Sequence, residues 1–363
     1  MKILFYLGHP AHFHLFKNPI IKLNELGYSV LVLIQKKDVL EQLLINSKID
    51  YTNILPYGRK DTIFFLLLSV LKKDWAIYKA CLRYKPDLLI SSGPEVAHVG
   101  KLLNIPSILF FEDDVDQVIL YSKIALPFAK TIVTPESCNV GKWGKKNCSY
   151  NSYHELAYLH PNYFWGDKDI VSQNVDVSKP YFLLRLSALS AYHDEGRTGI
   201  TNQIAKDIIK KLEDKGNIYI SSERELATEF EQYRIKIDPL IMHHVMRFAT
   251  IYIGDSQTMA AEAAVLGTPS IRFNDFVGKL GYLEELEHRY GLTFGIKTSE
   301  PEKIMQKIDE LLAFPNLKKE WEKRRLKMLS EKIDLTSFTV WFIENYPNSV
   351  ETIKNNSNYQ YRL

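Results

Sequence analysis

The run Gly254-Asp255-Ser256-Gln257-Thr258, with Glu262 beyond it, has the residue types and spacing to hold an anion. An apolar stretch ends at Ile253, and an Ala-rich helical stretch opens near Thr258. Free backbone N–H groups and the positive end of the helix dipole gather at such a start. Ser256, Gln257 and Thr258 add small donors that leave room for a phosphate. Glu262 lies four residues past Thr258 on the same helix face, where a carboxylate can accept from a ribose diol. A capping Ser or a Glu near a helix start is ordinary when taken singly; the combination points to a nucleotide diphosphate.

Further strand-end groups surround this run. Arg185, with Ser187 behind it, is placed to pair with a phosphate through its planar fork. Tyr192-His193-Asp194, Ser222 with Arg224, and Asn274 with Asp275 follow other apolar runs and are candidate donor contacts. In the first half, His9, His12 and His14 follow the first apolar run. An imidazole near pKa 6.5 suits a general base, so His12 or His14 is a candidate. Their spacing fits metal ligation on neither a helix nor a strand, and no metal is expected. Glu112-Asp113-Asp114-Val115-Asp116 puts four carboxylates into five residues, which raises at least one pKa or recruits a cation. Glu112 and Asp114 therefore rival the histidines as base. Glu95, after Ser91-Ser92-Gly93-Pro94, is a further carboxylate at a helix start.

These positions need a scaffold that delivers them to one edge. Apolar runs at 2–7, 28–34, 87–91, 106–111 and 131–134 alternate with helical spacing at 15–26, 38–46, 61–84 and 95–103. A second alternation begins near 181, with strands at 181–184, 216–221, 250–253 and 270–273. Helical spacing there covers 202–214, 239–248, 258–266, 301–313 and 317–332. Near-continuous apolar strands between helices predict parallel sheets covered on both faces. Two doubly wound α/β domains are expected, 1–165 and 175–335, separated by a linker within 160–179. A tail at 336–363 would pack back on the first domain, with its last ten residues frayed. Ligands of such sheets sit at the carboxyl ends of the strands, so two domains with a cleft between them would house the candidate residues.

The string Asp255-Ser256 with Glu262-Ala263 resembles the donor segment of non-hydrolysing UDP-N-acetylglucosamine 2-epimerases, with Gln257-Thr258 in place of two glycines. The peptidoglycan N-acetylglucosaminyltransferase has a similar Ser/Thr-rich turn and a ribose-binding Glu, matched by Glu262. Along nearly the whole chain, the sequence resembles a family of prokaryotic proteins of undefined function grouped with GT-B enzymes. The residues that carry this are His9-Pro10-Ala11-His12-Phe13-His14-Leu15-Phe16, the segment 150–159, and Thr258-Met259 with Glu262-Ala263-Ala264-Val265-Leu266-Gly267-Thr268-Pro269. The resemblance implies a GT-B fold, an acceptor domain followed by a nucleotide-sugar donor domain, and a functional first loop near His12 or His14. It also implies a glycosyltransferase that moves a sugar from a nucleotide-diphosphate sugar, expected to be UDP-linked, to a glycan or lipid-linked acceptor in surface polysaccharide synthesis. That reaction would be metal-independent and inverting, with the nucleotide sugar as substrate and no cofactor. The alternatives are a UDP-N-acetyl sugar 2-epimerase, to which Glu112 and Glu95 would contribute, and a non-catalytic nucleotide-sugar binding protein.

Composition agrees with this class. The 363 residues are 46 % hydrophobic and 25 % charged, ordinary for a two-domain globular protein. A net charge of +3 disfavours a dedicated nucleic-acid binder. Residues 1–165 carry an excess of five cations, the remainder an excess of two anions. Three cysteines without a CxxC pair fit a reducing compartment, and the short apolar stretch at the amino end does not read as a signal peptide. The longest apolar run, 63–71, is about half a membrane span. Flanked by Arg59-Lys60 and Lys72-Lys73, it could instead lie on an anionic surface. A cytoplasmic protein is expected, with peripheral contact on the inner face of the cytoplasmic membrane through 59–73.

Overall fold

The computed structural model describes residues 1–37, 39–55, 63–188 and 199–363, with the backbone alone for 63–68. Arg59-Lys60-Asp61 and Tyr192-His193-Asp194 lie outside the described residues. The chain forms two compact units, 1–160 together with 333–363, and 161–332.

The first unit is built on seven parallel strands: β1 (Lys2–Leu7), β2 (Ser29–Gln35), β3 (Thr52–Leu55), β4 (Leu88–Ser91), β5 (Ser107–Phe110), β6 (Thr131–Pro135) and β7 (Asn147–Tyr150). Their order is β3-β2-β1-β4-β5-β6-β7. Every residue of β4 and β5, and all of β1 except Lys2, is buried, as expected where helices cover both faces. The winding reverses between β1 and β4, so the connections that leave their carboxyl ends turn to opposite faces of the sheet, the position where folds of this kind bind ligands.

The first helix runs Pro10–Glu25, five residues ahead of the expected start. His9 caps it by accepting from the Ala11 N–H, and Pro10 occupies the first turn, where its missing N–H costs nothing. His12 and His14 are therefore helical residues, not loop residues. Residues 333–363 return to this unit. The Leu335–Glu344 helix packs against Pro10–Glu25, and the Thr336 hydroxyl donates to the Ala157 carbonyl at 2.7 Å. The final residues are not frayed. Gln360 is buried, accepts from the Asn151 N–H at 2.7 Å and donates to Glu136 at 3.1 Å.

The second unit has five parallel strands: β8 (Tyr181–Leu186), β9 (Asn217–Ser222), β10 (Ile251–Gly254), β11 (Ser270–Phe273) and β12 (Thr293–Ile296). The order is β12-β11-β10-β8-β9, and the winding reverses between β8 and β10. Of the stretch 160–179, expected as a linker, residues 161–179 belong to this unit and hold a short helix, Lys168–Ser172, capped by Asp167. On β11, Arg272 is fully buried and pairs with Glu284 at 2.6 Å and Glu287 at 2.9 Å. Glu284 also accepts from the Gly278 N–H and Glu287 from the Gly295 N–H. This triad therefore fixes the segment that follows β11. Among the described residues no helix is long and apolar enough to cross a membrane.

Candidate functional site

At the β8/β10 reversal, Arg185 sits in register beside Gly254. A Cβ at position 254 would come 2.8 Å from that of Arg185, so only glycine fits. The Arg185 guanidinium donates to the Ser221 hydroxyl at 2.7 Å and pairs with Glu223. Its Nε is buried with no hydrogen-bond partner among the described residues. Asp255 is 3 % exposed and accepts from the N–H groups of Ser187 at 2.7 Å and Ile200 at 3.1 Å. Burial pushes its carboxyl up, and these bonds offset part of that shift. Asp255 thus acts as a clamp that holds both ends of the post-β8 segment against the β10 loop.

Ser256 caps the Gln257–Leu266 helix by accepting from the Met259 N–H at 3.3 Å. Both ends of the Gln257 amide are buried and without a partner among the described residues. A buried amide left unsatisfied is costly unless something bonds to it. Thr258 is exposed. Glu262 is 6 % exposed and pairs with His243 at 3.0 Å.

The outer candidates hold their own loops. Ser222 donates to the Arg224 carbonyl at 2.7 Å and accepts from its N–H at 3.2 Å, while the Arg224 guanidinium reaches the Ile200 carbonyl. Asn274 is 1 % exposed, donates to the Asp255 carbonyl at 3.3 Å and accepts from the Phe276 N–H at 2.9 Å. Asp275 accepts from the Thr298 hydroxyl. Arg185, Ser187, Ser256 and Gln257 therefore converge at the reversal. Ser222, Arg224, Asn274 and Asp275 shape the loops on either side.

In the first unit, the Gly8 N–H donates to His12 Nδ1 at 3.2 Å. Burial, His9, His154 and Lys73 together push the His12 imidazole down to about 3. A neutral ring with Nδ1 accepting carries its proton on Nε2. His12, expected as a base, presents a donor. His14 packs its ring 5.0 Å from Tyr158. The acidic run divides by role. Asp114 accepts from the Asn139 N–H at 2.6 Å, and Asp116 is exposed. Glu112 pairs with His154 Nδ1 at 2.8 Å. His154 Nε2 is buried with no hydrogen-bond partner among the described residues. Burial and the neighbouring Glu112 raise the Asp113 carboxyl to about 7, against an opposing pull from His154. Glu95 is 3 % exposed and paired with Lys73 at 3.0 Å. Lys73, expected to flank a surface-lying helix, turns inward instead.

His154 and His243 are absent from the sequence-based candidates. His154 stands inside the noted segment 150–159, but nothing along the chain pairs it with Glu112. His243 shares a helical stretch with His244 and has no motif around it.

The raised Asp113 carboxyl has a stability consequence. Its native pKa lies above the unfolded value, so the native state holds the extra proton between the two. Its penalty is complete above about pH 7 and vanishes below about pH 4. Asp113→Asn should therefore gain stability over the parent at pH 8, with the gain fading as pH falls toward 4. Denaturant midpoints across that range measure it; a gain that grows toward acid refutes the assignment.

A family model described as "Protein of unknown function (DUF354)" matches residues 1–281. No curated protein matches the chain. Among solved structures, UDP-GlcNAc 2-epimerase from Neisseria meningitidis bound to UDP-GlcNAc is 14 % identical, with TM-score 0.64 over 98 % of this chain and 100 % of that one. MnaA from S. aureus with UDP is 12 % identical, with TM-score 0.70 over 96 % and 97 %. The spinosyn rhamnosyltransferase SpnG complexed with thymidine diphosphate is 13 % identical, with TM-score 0.63 over 95 % and 100 %. At these identities the likeness is one of fold, two Rossmann-like parallel sheets of the GT-B class.

Proposed function

The chain belongs to the DUF354 family, and from that premise we propose that it is a glycosyltransferase using a nucleotide-diphosphate sugar, UDP-linked, as donor. The observation that carries this reading is the convergence at the β8/β10 reversal of Arg185, the start of the Gln257–Leu266 helix, and a buried Gln257 amide without a partner among the described residues. A diphosphate supplies what those groups are built to meet. It brings negative charge for the guanidinium and the helix dipole, and acceptor oxygens for N–H donors. Three structures of the same fold, at low identity, hold UDP-GlcNAc, UDP or thymidine diphosphate.

In this reading the second unit holds the donor. Arg185 and the helix start take up the charge that develops on the departing diphosphate, work that electrostatic preorganisation does without moving parts. Glu262, positioned by His243, faces the ribose. The first unit supplies the proton acceptor. The acceptor hydroxyl oxygen bonds to the anomeric carbon as the bond to the diphosphate oxygen breaks. The hydroxyl proton passes to His154 Nε2, and Glu112 holds that ring through Nδ1. His12, its Nδ1 taken by the Gly8 N–H, would offer its Nε2–H to the acceptor as a donor. The acceptor is a hydroxyl of a glycan or lipid-linked glycan, attacked with inversion and without a metal. The outer face of the Ile63–Tyr84 helix exposes Leu71, Trp75 and Leu82 beside Lys72 and Lys79. That face supports a peripheral contact with an anionic membrane from the cytoplasmic side.

Thermal shift with UDP, GDP, CMP and TDP tests the donor site. A hundredfold excess over Kd stabilises by about 2.7 kcal/mol. UDP should raise the melting temperature, and Arg185→Met should abolish the rise. No shift with any nucleotide refutes the reading. A second reading, a UDP-N-acetyl sugar 2-epimerase, is favoured by the proximity of Asp113, raised to about 7, to the Glu112–His154 pair. One can hold a proton while the other takes one. Interconversion of a UDP-sugar without any acceptor would select it. A nucleotide shift without turnover of any kind would select a binding protein.

A further inference from the structure

The second unit has a cavity at the opposite end of its sheet from Arg185. It is about 600 Å³, within the range of small-ligand sites. It opens at the amino ends of β8, β10 and β11, where Pro180, Thr250 and Pro269 line it. Four cations stand on its wall, Lys168, Lys179, Arg247 and Lys318, around a lining that holds Ser178 and Thr250 and an apolar part that includes Phe248.

The arrangement is unfavourable without an anion. Lys168 and Lys318 sit in the first turns of the Lys168–Ser172 and Leu317–Glu331 helices, where the dipole repels a cation. Both ammonium groups lie near the same ring, 5.9 Å and 5.2 Å from the Phe248 centroid. Burial lowers the Lys318 pKa, and Arg247 and Lys168 lower it further, against a smaller opposing effect from Glu322. Glu322 accepts from Arg247 at 2.6 Å but is shared with Arg325 at 3.1 Å. The Asp167 carboxylate beside Lys168 is engaged in capping its helix.

We propose that this cavity binds a phosphate ester, its phosphoryl group held by Lys168, Arg247 and Lys318 and its apolar ester group packed on Phe248. The guanidinium fork and two ammonium groups match a tetrahedral dianion or monoanion, and the ring accepts an aromatic or aliphatic body. Two sources share that chemistry, a soluble phosphate ester and the headgroup of an anionic phospholipid. This site does not depend on the donor-site reading.

The test uses the full chain in two arms. Thermal shift is measured with phenyl phosphate, inorganic phosphate and phenol. Co-sedimentation is measured with phosphatidylcholine vesicles with and without phosphatidylglycerol. Phenyl phosphate should stabilise more than inorganic phosphate, and phenol should not stabilise. The double variant Lys168→Gln/Lys318→Gln should bind at least about tenfold more weakly, from the loss of two charge-assisted contacts. Both side chains reach solvent and are only partly covered, so the variant should fold, and with the cation repulsion relieved its melting temperature without ligand should be no lower than the parent's. Arg185→Met should keep the phenyl phosphate response, which places that response away from the donor site. A response to phenyl phosphate that the lysine variant loses names a soluble ester. Sedimentation with phosphatidylglycerol that the same variant loses names the lipid headgroup. No response in either arm, or a response the lysine variant leaves unchanged, overturns the proposal.

Discussion

His154→Gln should lower turnover by about 10²- to 10⁴-fold, the usual contribution of a positioned acid or base, while the thermal shift with UDP stays at the parental value. The ring stacks on Tyr150, with centroids 6.4 Å apart, and is hydrogen-bonded through one nitrogen. Glu112 accepts from Nδ1 at 2.8 Å, and Nε2 is buried with no hydrogen-bond partner among the described residues. In a neutral imidazole whose Nδ1–H is committed, Nε2 carries the lone pair. His12 has the reverse arrangement, because the Gly8 N–H occupies its Nδ1. Glu112→Gln should give an intermediate loss, since an amide can still orient the ring but does not stabilise the imidazolium. His12→Asn, which keeps a donor, should cost less than His154→Gln. Full turnover in His154→Gln would remove it from the mechanism, and an unchanged UDP shift confines the defect to the chemical step.

The Arg272 triad should yield the largest stability effect. The Glu284→Gln/Glu287→Gln double variant keeps volume and acceptors but leaves a fully buried guanidinium without a counter-charge. Breaking a buried pair from one side costs about 3–5 kcal/mol. For a unit of this size that corresponds to a drop on the order of 10 °C in melting temperature. Arg272→Met should cost less. The carboxylates it strands are 27 % and 17 % exposed in their side chains and can reach water, whereas the arginine is at 0 %. Calorimetry of the two variants compares them directly, and equal losses would show that the pairs, not the buried cation, carry the effect.

What the sequence made legible follows from range. Strands buried on both faces, such as β1, β4 and β10, are apolar runs that read without ambiguity. The missed strands β3, β7 and β12 have four residues each and lie at sheet edges. There, Asn147-Cys148-Ser149-Tyr150 and Thr293-Phe294-Gly295-Ile296 carry little hydrophobic signal. The Gly254–Glu262 segment was readable because strand, turn and helix start are contiguous. The Glu112–His154 and Glu262–His243 pairs were not, because each joins residues on different elements, and periodicity carries no information about such contacts. The Pro10–Glu25 helix began earlier than expected because His9 caps it, and a capping histidine has no strong sequence signature.

The return of residues 333–363 to the first unit bears on how the molecule is made. Synthesis is vectorial, and domains usually close in the order in which they leave the ribosome. Here that order is inverted. The 161–332 unit has its whole sequence available while the first unit still lacks the Leu335–Glu344 helix and Gln360. The early unit must wait, partly assembled, with the face that receives this helix exposed, until the later one has emerged complete. The first unit closes only when the Leu335–Glu344 helix and the turns after it, Asn348–Asn355 and Ser357–Arg362, reach it.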